Sequence, residues 1–313
     1  MLGQRNIRVG IDIGSDSIKL AVMRRRRGRW LLLCGMSEPV AGHAGETLHQ
    51  MLRDLPASLR RRHVTADVAL QCAQIMFRKV VLPATLDHSQ VELAVNLELQ
   101  RHMASEDAEA LFMDYQPIAA REPEVGRENL ASTTWLTATC PAAVMGDCLH
   151  ALEKARVKPL RVCIDVLALD ACDRQTGAQS QSGKSSYLYI DAGCSAIRVY
   201  ALNAGVPGYI RSFPLAPVSQ QGEGGTEFLL TMRRALQQYH MSDMLAQPER
   251  VLLFGGRYAL PGLDDLIQQY CGCSPHALDP LTDWSVKSTV MSPVSVPPTL
   301  LAPAIALAMQ EPM

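Results

Sequence analysis

The 313-residue chain has no run of 18 or more uncharged apolar residues, so the sequence offers no membrane-spanning helix. Its first apolar run already carries Asp12, and no secretory signal peptide is expected. Charge imbalance is also missing. Thirty basic against 31 acidic residues leave a net charge of −1, which gives no global attraction to nucleic acid or anionic membrane. No catalytic-triad signature can be assembled around the eight scattered histidines. The nine cysteines make an odd count, and Cys34, Cys72, Cys140, Cys163 and Cys194 stand singly in apolar segments, as reduced core thiols of a cytoplasmic protein do. Cys271-Gly272-Cys273 is a close pair, but no second Cys or His pair at ligand spacing completes a zinc site.

What the chain does have is one phrase used twice. Val9-Gly10-Ile11-Asp12-Ile13-Gly14-Ser15-Asp16-Ser17-Ile18-Lys19-Leu20 opens it, and Leu188-Tyr189-Ile190-Asp191-Ala192-Gly193-Cys194-Ser195-Ala196-Ile197-Arg198-Val199 echoes it in the second half. Each copy is an apolar run, a polar turn and a second apolar run, which reads as a β-hairpin. The turn suits a phosphate: Gly14 and Gly193 let the backbone approach, and turn N–H groups with Ser15, Ser17 and Ser195 can face an anion. Asp12 and Asp191 can each orient a hydrated Mg²⁺. They lie 179 positions apart, the spacing of a duplicated domain core rather than a short repeat. Either hairpin alone reads equally well as a tight polar turn, and the second has Cys194 in place of a hydroxyl or small residue and lacks the first one's lysine.

A third segment, Val251-Leu252-Leu253-Phe254-Gly255-Gly256-Arg257-Tyr258-Ala259-Leu260-Pro261-Gly262-Leu263, reads as a strand, a Gly-Gly turn and a helix. Pro261 is expected in that helix's first turn, with Asp264 and Asp265 favouring its N-terminal end. Bare backbone at Gly255 and Gly256 lets a flat base lie against it, although a βα turn also asks for small residues.

Taken together, these three segments resemble the actin-like ATPase superfamily. The wording Gly-Ile-Asp-Ile-Gly-Ser-x-Ser-Ile-Lys and Gly-Gly-x-x-x-Leu-Pro-Gly-Leu resembles its type IV pilus assembly branch, the PilM family, and in particular divergent HofM-type members. Phe77 to Pro83, Lys158 to Asp165 and Pro303 to Met309 resemble, in turn, that branch's small extra subdomain, its link back to the core and its closing helix. The resemblance implies a two-lobed α/β fold with a duplicated mixed-sheet core and a small inserted α/β subdomain. Its expected division is 1–36 with 119–180 as the first lobe, 37–118 as the insertion, 181–298 as the second lobe, and 299–313 as a C-terminal helix on the core.

Local patterns fill in this layout. Residues 7 to 36 read as a three-stranded meander, 46 to 62 as a helix and 68 to 72 as a buried strand. Asp87 can cap a helix packed through Val91, Leu93, Ala94, Leu97 and Leu99. From residue 132 the core is expected to resume with the strand Thr133 to Cys140 and the helix Pro141 to Ala155. Residues 175 to 186 and 220 to 225 read as linkers, and 285 to 298 as a loop. Arg24-Arg25-Arg26-Arg27-Gly28-Arg29 reads as a solvated hairpin turn, with contact to an acidic partner or lipid headgroups as the alternative. Arg60-Arg61-Arg62-His63 reads as the end of a helical stretch, complementing its dipole.

Two departures from the family bear on activity. The helical subdomain after the second hairpin is trimmed to Gln220–Pro248, removing a wall beside an adenosine, and Leu167 stands where the family favours an acidic residue that orients the attacking water. Two functional classes therefore compete. One is a cytoplasmic scaffold at the inner face of the inner membrane, part of a pilus or DNA-uptake assembly. It would bind the N-terminal tail of a PilN-like bitopic membrane protein in a groove between insertion and first lobe, with ATP and Mg²⁺ as structural ligand or switch. The other is a slow Mg-ATP hydrolase that uses Asp12 and Asp191 on Mg²⁺, Ser15, Ser17 and Lys19 on phosphate, and Gly255 and Gly256 beneath the adenine. Arg78 and Lys79, on the insertion's strand, are candidates for meeting the tail, with a solvated strand face as the alternative. No direct nucleic-acid contact is expected, and the fold is compatible with homo-oligomers. A sugar kinase would need a further carboxylate base and a larger second lobe, and Leu300 to Met309 lacks the basic face of a membrane-tethering helix.

Overall fold

The computed structural model describes residues 7–40, 42–60, 64–70, 75–101, 111–121, 131–176, 186–216, 224–242, 247–288 and 296–310. Of the expected linkers 175–186 and 220–225, residues 177–185 and 220–223 lie outside them, as do 289–295 of the expected loop and Cys72, whereas Gly224 and Gly225 already begin a helix. The chain forms two compact units, one of Met1–Ala73 with Cys148–Met313 and one of Gln74–Asp147.

In the first unit, β1 (Ile7–Ile13), β2 (Ser17–Arg26) and β3 (Arg29–Pro39) make the expected antiparallel meander. After α1 (Ala44–Asp54) the chain adds β4 (Val64–Leu70) parallel to β1. Pro56 follows the last turn of α1, so the helix stops before the arginine run, and Arg60 instead donates from Nε to the Leu55 carbonyl at 2.7 Å. Arg61, Arg62 and His63 lie outside the described residues.

The second unit holds β5 (Met76–Pro83), α2 (His88–Arg101), β6 (Leu111–Arg121) and β7 (Ser132–Pro141), with strand order β5-β7-β6. Helix α2 begins in a capping box: the Gln90 N–H donates to Asp87 Oδ1 at 2.9 Å, and the Asp87 N–H donates to Gln90 Oε1 at 3.0 Å. Val91, Val95 and Leu99 pack beside Met113, Tyr115 and Trp135. Leu93 and Leu97, expected to pack, are 62% and 50% exposed, because the buried stripe follows 91, 95 and 99 and leaves 93 and 97 on the far side.

After α3 (Ala142–Lys154), β8 (Val157–Ile164) pairs with β4, and α4 (Asp165–Gln175) leads to the second lobe. That lobe comprises β9 (Ser186–Ala192), β10 (Ala196–Asn203), β11 (Val206–Pro214), α5 (Gly224–Met241), β12 (Arg250–Phe254), α6 (Leu263–Cys271) and β13 (Pro275–Ala277). The segments α7 (Pro280–Asp283), β14 (Lys287–Ser288) and α8 (Pro298–Met309) complete the chain.

The two larger sheets repeat one topology. Their orders are β14-β3-β2-β1-β4-β8 and β11-β10-β9-β12-β13, so each contains an antiparallel meander followed by two parallel strands. This is the duplication that the repeated phrase announces. Phe228, Met232 and Leu236 of α5 and Leu263 and Ile267 of α6 close the second-lobe core over Ile190, Ile197 and Val199. Helix α8 is apolar on every side from Leu300 onward and buried from Leu301 to Met309, as a helix packed into a core must be. It lies so close to β1 that a Cβ at Gly10 would overlap the Ala304 carbonyl oxygen.

Three sequence expectations shift. The separate unit begins at Gln74 rather than residue 37, because β4 fills the place between β1 and β8 and α1 stays with that sheet. Strand β7, expected to resume the core, is the centre of the three-stranded sheet. Pro261 precedes α6 rather than occupying its first turn, since Gly262 is the N-cap with φ 80°, while Asp264 and Asp265 do sit in that turn.

Candidate functional site

Both hairpins end at one cleft. The antiparallel register places Asp12 opposite Lys19 and Asp191 opposite Arg198, so each pair shares a face of its ladder. Lys19 Nζ lies 3.4 Å from Asp12 Oδ2, and the Arg198 guanidinium 2.7 Å from Asp191 Oδ2. The lysine reckoned missing from the second copy is therefore matched by an arginine at the same seven-residue spacing. The two turns touch: Ser15 Oγ and Ser195 Oγ are 2.6 Å apart. Within the first turn the Gly14 N–H donates to the Ser17 carbonyl at 3.0 Å.

All ten residues expected at a nucleotide line this cleft: Asp12, Gly14, Ser15, Ser17, Lys19, Asp191, Gly193, Ser195, Gly255 and Gly256. The cleft encloses about 710 Å³, its open mouth included. The two glycines after β12 do different work. Gly255 has φ 96°, and a Cβ there would lie 2.5 Å from Asp191 Oδ1 and 2.8 Å from the Ala192 carbonyl oxygen, so its bareness serves the packing of β12 against the second hairpin. Gly256 has room, with Cys194 Sγ at 3.5 Å and Leu300 Cδ1 at 4.0 Å from a built Cβ.

Asp165 was not among the sequence candidates. As the first residue of α4 it passes for a dipole-complementing acid, yet it is buried in the cleft wall. Its Oδ1 accepts from the Val166 N–H at 2.7 Å and its Oδ2 from the Tyr200 hydroxyl at 3.1 Å. Burial, then the charge of Asp12, raises its pKa to about 7. Leu167 leaves a carboxylate out of its own position, but Asp165 supplies one two residues earlier.

Three carboxylates thus face two cations. Burial raises Asp191, with Arg198 and Lys19 opposing. Lys19 is raised because Asp12 and Asp191 outweigh the opposite effect of its burial, and Arg198 is raised for the same kind of reason through Asp191. Protonation of Asp165 balances the set, and buried charges are tolerable when so paired.

The donor set fits the phosphate end of a Mg-nucleotide. Hydroxyls at Ser15, Ser17 and Ser195 with Lys19 and Arg198 suit phosphate oxygens, and Asp12 and Asp191 suit metal-bound water. Phe254, Leu300 and Pro303 are the large apolar side chains of the lining.

The remaining candidates lie elsewhere. Arg78 and Lys79 are both exposed on β5 of the second unit. Being adjacent in a strand they point to opposite faces, so no single face presents both. Among the described residues no group of three or more His, Cys, Asp or Glu is placed to hold a metal ion directly, and Cys271 and Cys273 are free thiols.

Comparison with known proteins agrees with this architecture. The sequence profile of type IV pilus assembly protein PilM matches residues 10–215, two thirds of the chain and both hairpins. The chain belongs to the PilM family. No curated protein matches it in sequence. Among solved structures, a PilM-PilN type IV pilus biogenesis complex superposes with a TM-score of 0.74 at 17% identity, over 96% of this chain and 97% of that one. A Bacteroides thetaiotaomicron protein with an actin-like ATPase fold and unknown function gives 0.47 at 12% identity, covering 88% and 92%. The cytoplasmic domain of EpsL, an inner membrane component of the Vibrio cholerae type II secretion system, also gives 0.47 at 12%, covering 80% and 82%. This PilM-family chain shares the fold of the PilM-PilN structure.

Proposed function

We propose that this PilM-family protein is a cytoplasmic scaffold at the inner face of the inner membrane, in an assembly that builds a type IV pilus or takes up DNA. It binds the N-terminal tail of a PilN-like bitopic membrane protein. The observation that carries the reading is the family match across both hairpins, joined to likeness over nearly the whole chain to a structure of PilM with PilN. None of the helices among the described residues is long and apolar enough to cross a membrane, which accords with anchorage through a partner. In the second unit, β5 and β6 each pair on one side only among the described residues, and an extended tail can add to such an edge. Of the two residues offered for the tail, whichever of Arg78 and Lys79 shares the bound face supplies the cation.

Nucleotide is a structural ligand or switch in this reading. Mg²⁺ would neutralise phosphate charge between the turns, Lys19 and Arg198 would turn to phosphate oxygens, and the Ser15–Ser195 contact would open to admit them. A slow Mg-ATP hydrolase is the second reading, favoured by Asp165, which with a pKa near 7 can take a proton in the cleft. Capture tests the scaffold: the immobilised full chain retains detergent-solubilised PilN-like protein but not the same protein lacking its tail. Equal retention of both forms overturns the tail assignment, and ATP turnover above about 1 per second, in the ordinary enzyme range, favours the hydrolase.

A further inference from the structure

The first-lobe sheet is electrically polarised. On its six strands the carboxylates are Asp12 and Glu38 at the cleft end and Asp67, which is buried beneath Arg8 and Arg161 at 3.8 and 2.8 Å. The opposite end gathers cations. The register sets Arg24 level with Ile7, Lys287 beside Leu31, and Val64 beside Val157 with Lys158 one residue on. That end therefore carries Arg24, Arg25, Arg26, Arg27 and Arg29 of the β2–β3 hairpin, Lys287 of β14, and Arg156 and Lys158 at the start of β8. All but Arg24 are exposed. Six strands at a spacing of about 4.8 Å spread these groups over roughly 24 Å.

The hairpin tip points the same way. Arg26 pairs with Arg29, leaving Arg27 and Gly28 as a two-residue turn with φ 50° and 77°. Both central residues of such a turn take positive φ, which favours Asn at the first position, yet an arginine is kept there against local preference. Trp30 lies at the base with the Arg25 guanidinium 5.7 Å from its ring centroid.

We infer that this end is a contact surface for anionic phospholipid headgroups. The inference rests on the reading above, that the protein works beside a membrane through its partner. A fluid headgroup layer asks only for many exposed cations on a broad front, and an aromatic ring with guanidinium neighbours suits that interface. A folded acidic partner would instead call for a groove or a fixed fork, and cations contributed by three separate parts of the sheet edge make neither. With a net charge of −1 the attraction is local, so it orients the molecule while the partner's tail supplies the tether.

The test is sedimentation of the purified full chain with vesicles of phosphatidylcholine alone or with about one third phosphatidylglycerol, alongside Arg25→Gln/Arg26→Gln/Arg27→Asn. Each guanidinium near the surface is worth about fivefold in partitioning, so the triple variant loses roughly a hundredfold on anionic vesicles, as does the native chain in high salt. Neutral vesicles bind neither protein. Arg27→Asn alone raises thermal stability while lowering partitioning, which excludes unfolding as the cause. Absence of binding to anionic vesicles, equal binding to both compositions, or retention by the triple variant overturns the inference, as does capture of a soluble polyanion such as polyglutamate without vesicle binding. The tail peptide is titrated in parallel: loss of tail binding with vesicle binding intact refutes the scaffold reading alone.

Discussion

Replacing Arg198 by Met tests whether the second hairpin depends on its own counter-charge. The Asp191 and Arg198 side chains are only 15% and 11% exposed and meet at 2.7 Å. Breaking such a pair by removing one partner typically costs 3–5 kcal/mol, because a carboxylate is left buried and alone. Here Asp191 keeps Lys19 in its field and can take a proton, so the expected loss at pH 8 is about 3 kcal/mol and shrinks as pH falls. Methionine keeps the apolar stem, which confines the change to charge and hydrogen bonding. Arg198→Lys, which copies the first hairpin's pair, recovers most of the loss. The assay is urea unfolding followed by hydrogen exchange at β9 and β10 amides, in a double-mutant cycle with Asp191→Asn. Mg²⁺ alone should stabilise Arg198→Met more than the native chain, since Asp191 is then free for metal-bound water. A loss under 1 kcal/mol with no coupling in the cycle would refute the reasoning.

Other outcomes follow from the same contacts. Asp165 has a folded-state pKa of about 7 against an ordinary value near 4, so its contribution to stability is complete below pH 4 and is lost as pH rises to 7. Unfolding midpoints between pH 5 and 8.5 should fall with pH in the native chain and flatten in Asp165→Asn. Gly255→Ala places a Cβ 2.5 Å from Asp191 Oδ1 at positive φ and should destabilise by about 2–3 kcal/mol, whereas Gly256→Ala should stay within about 0.5, as thermal melts will report. In the second unit Val95→Ala should cost about 2 kcal/mol and exposed Leu97→Ala almost nothing, measured by proteolysis of that unit.

The cleft was legible because each half of it is a local phrase. Asp, Gly and Ser in a hairpin turn announce their face by strand alternation, and the seven such residues meet in one cleft with Lys19, Gly255 and Gly256. Arg198 was equally visible as spacing, seven residues after Asp191 as Lys19 is after Asp12, but a change of cation read as a loss. Asp165 gave no sign, since a lone acid at a helix start has an ordinary local use and only the Tyr200 hydroxyl and the neighbouring carboxylates give it another. Pairing partners were the weakest inference. Apolar runs at β4 and β7 announce strands, but which sheet each joins depends on contacts far along the chain. The basic strand ends were divided in the sequence among residues near 26, 157 and 287, and only register brings them to one edge.

The most direct test of the account is calorimetric titration of the full chain with the N-terminal cytoplasmic peptide of its PilN-like partner, with and without Mg-ATP. The scaffold reading predicts binding in the micromolar range or tighter, with any change on adding Mg-ATP measuring the coupling between cleft and tail. No heat of binding in either condition, confirmed by fluorescence anisotropy of the labelled peptide, would contradict it.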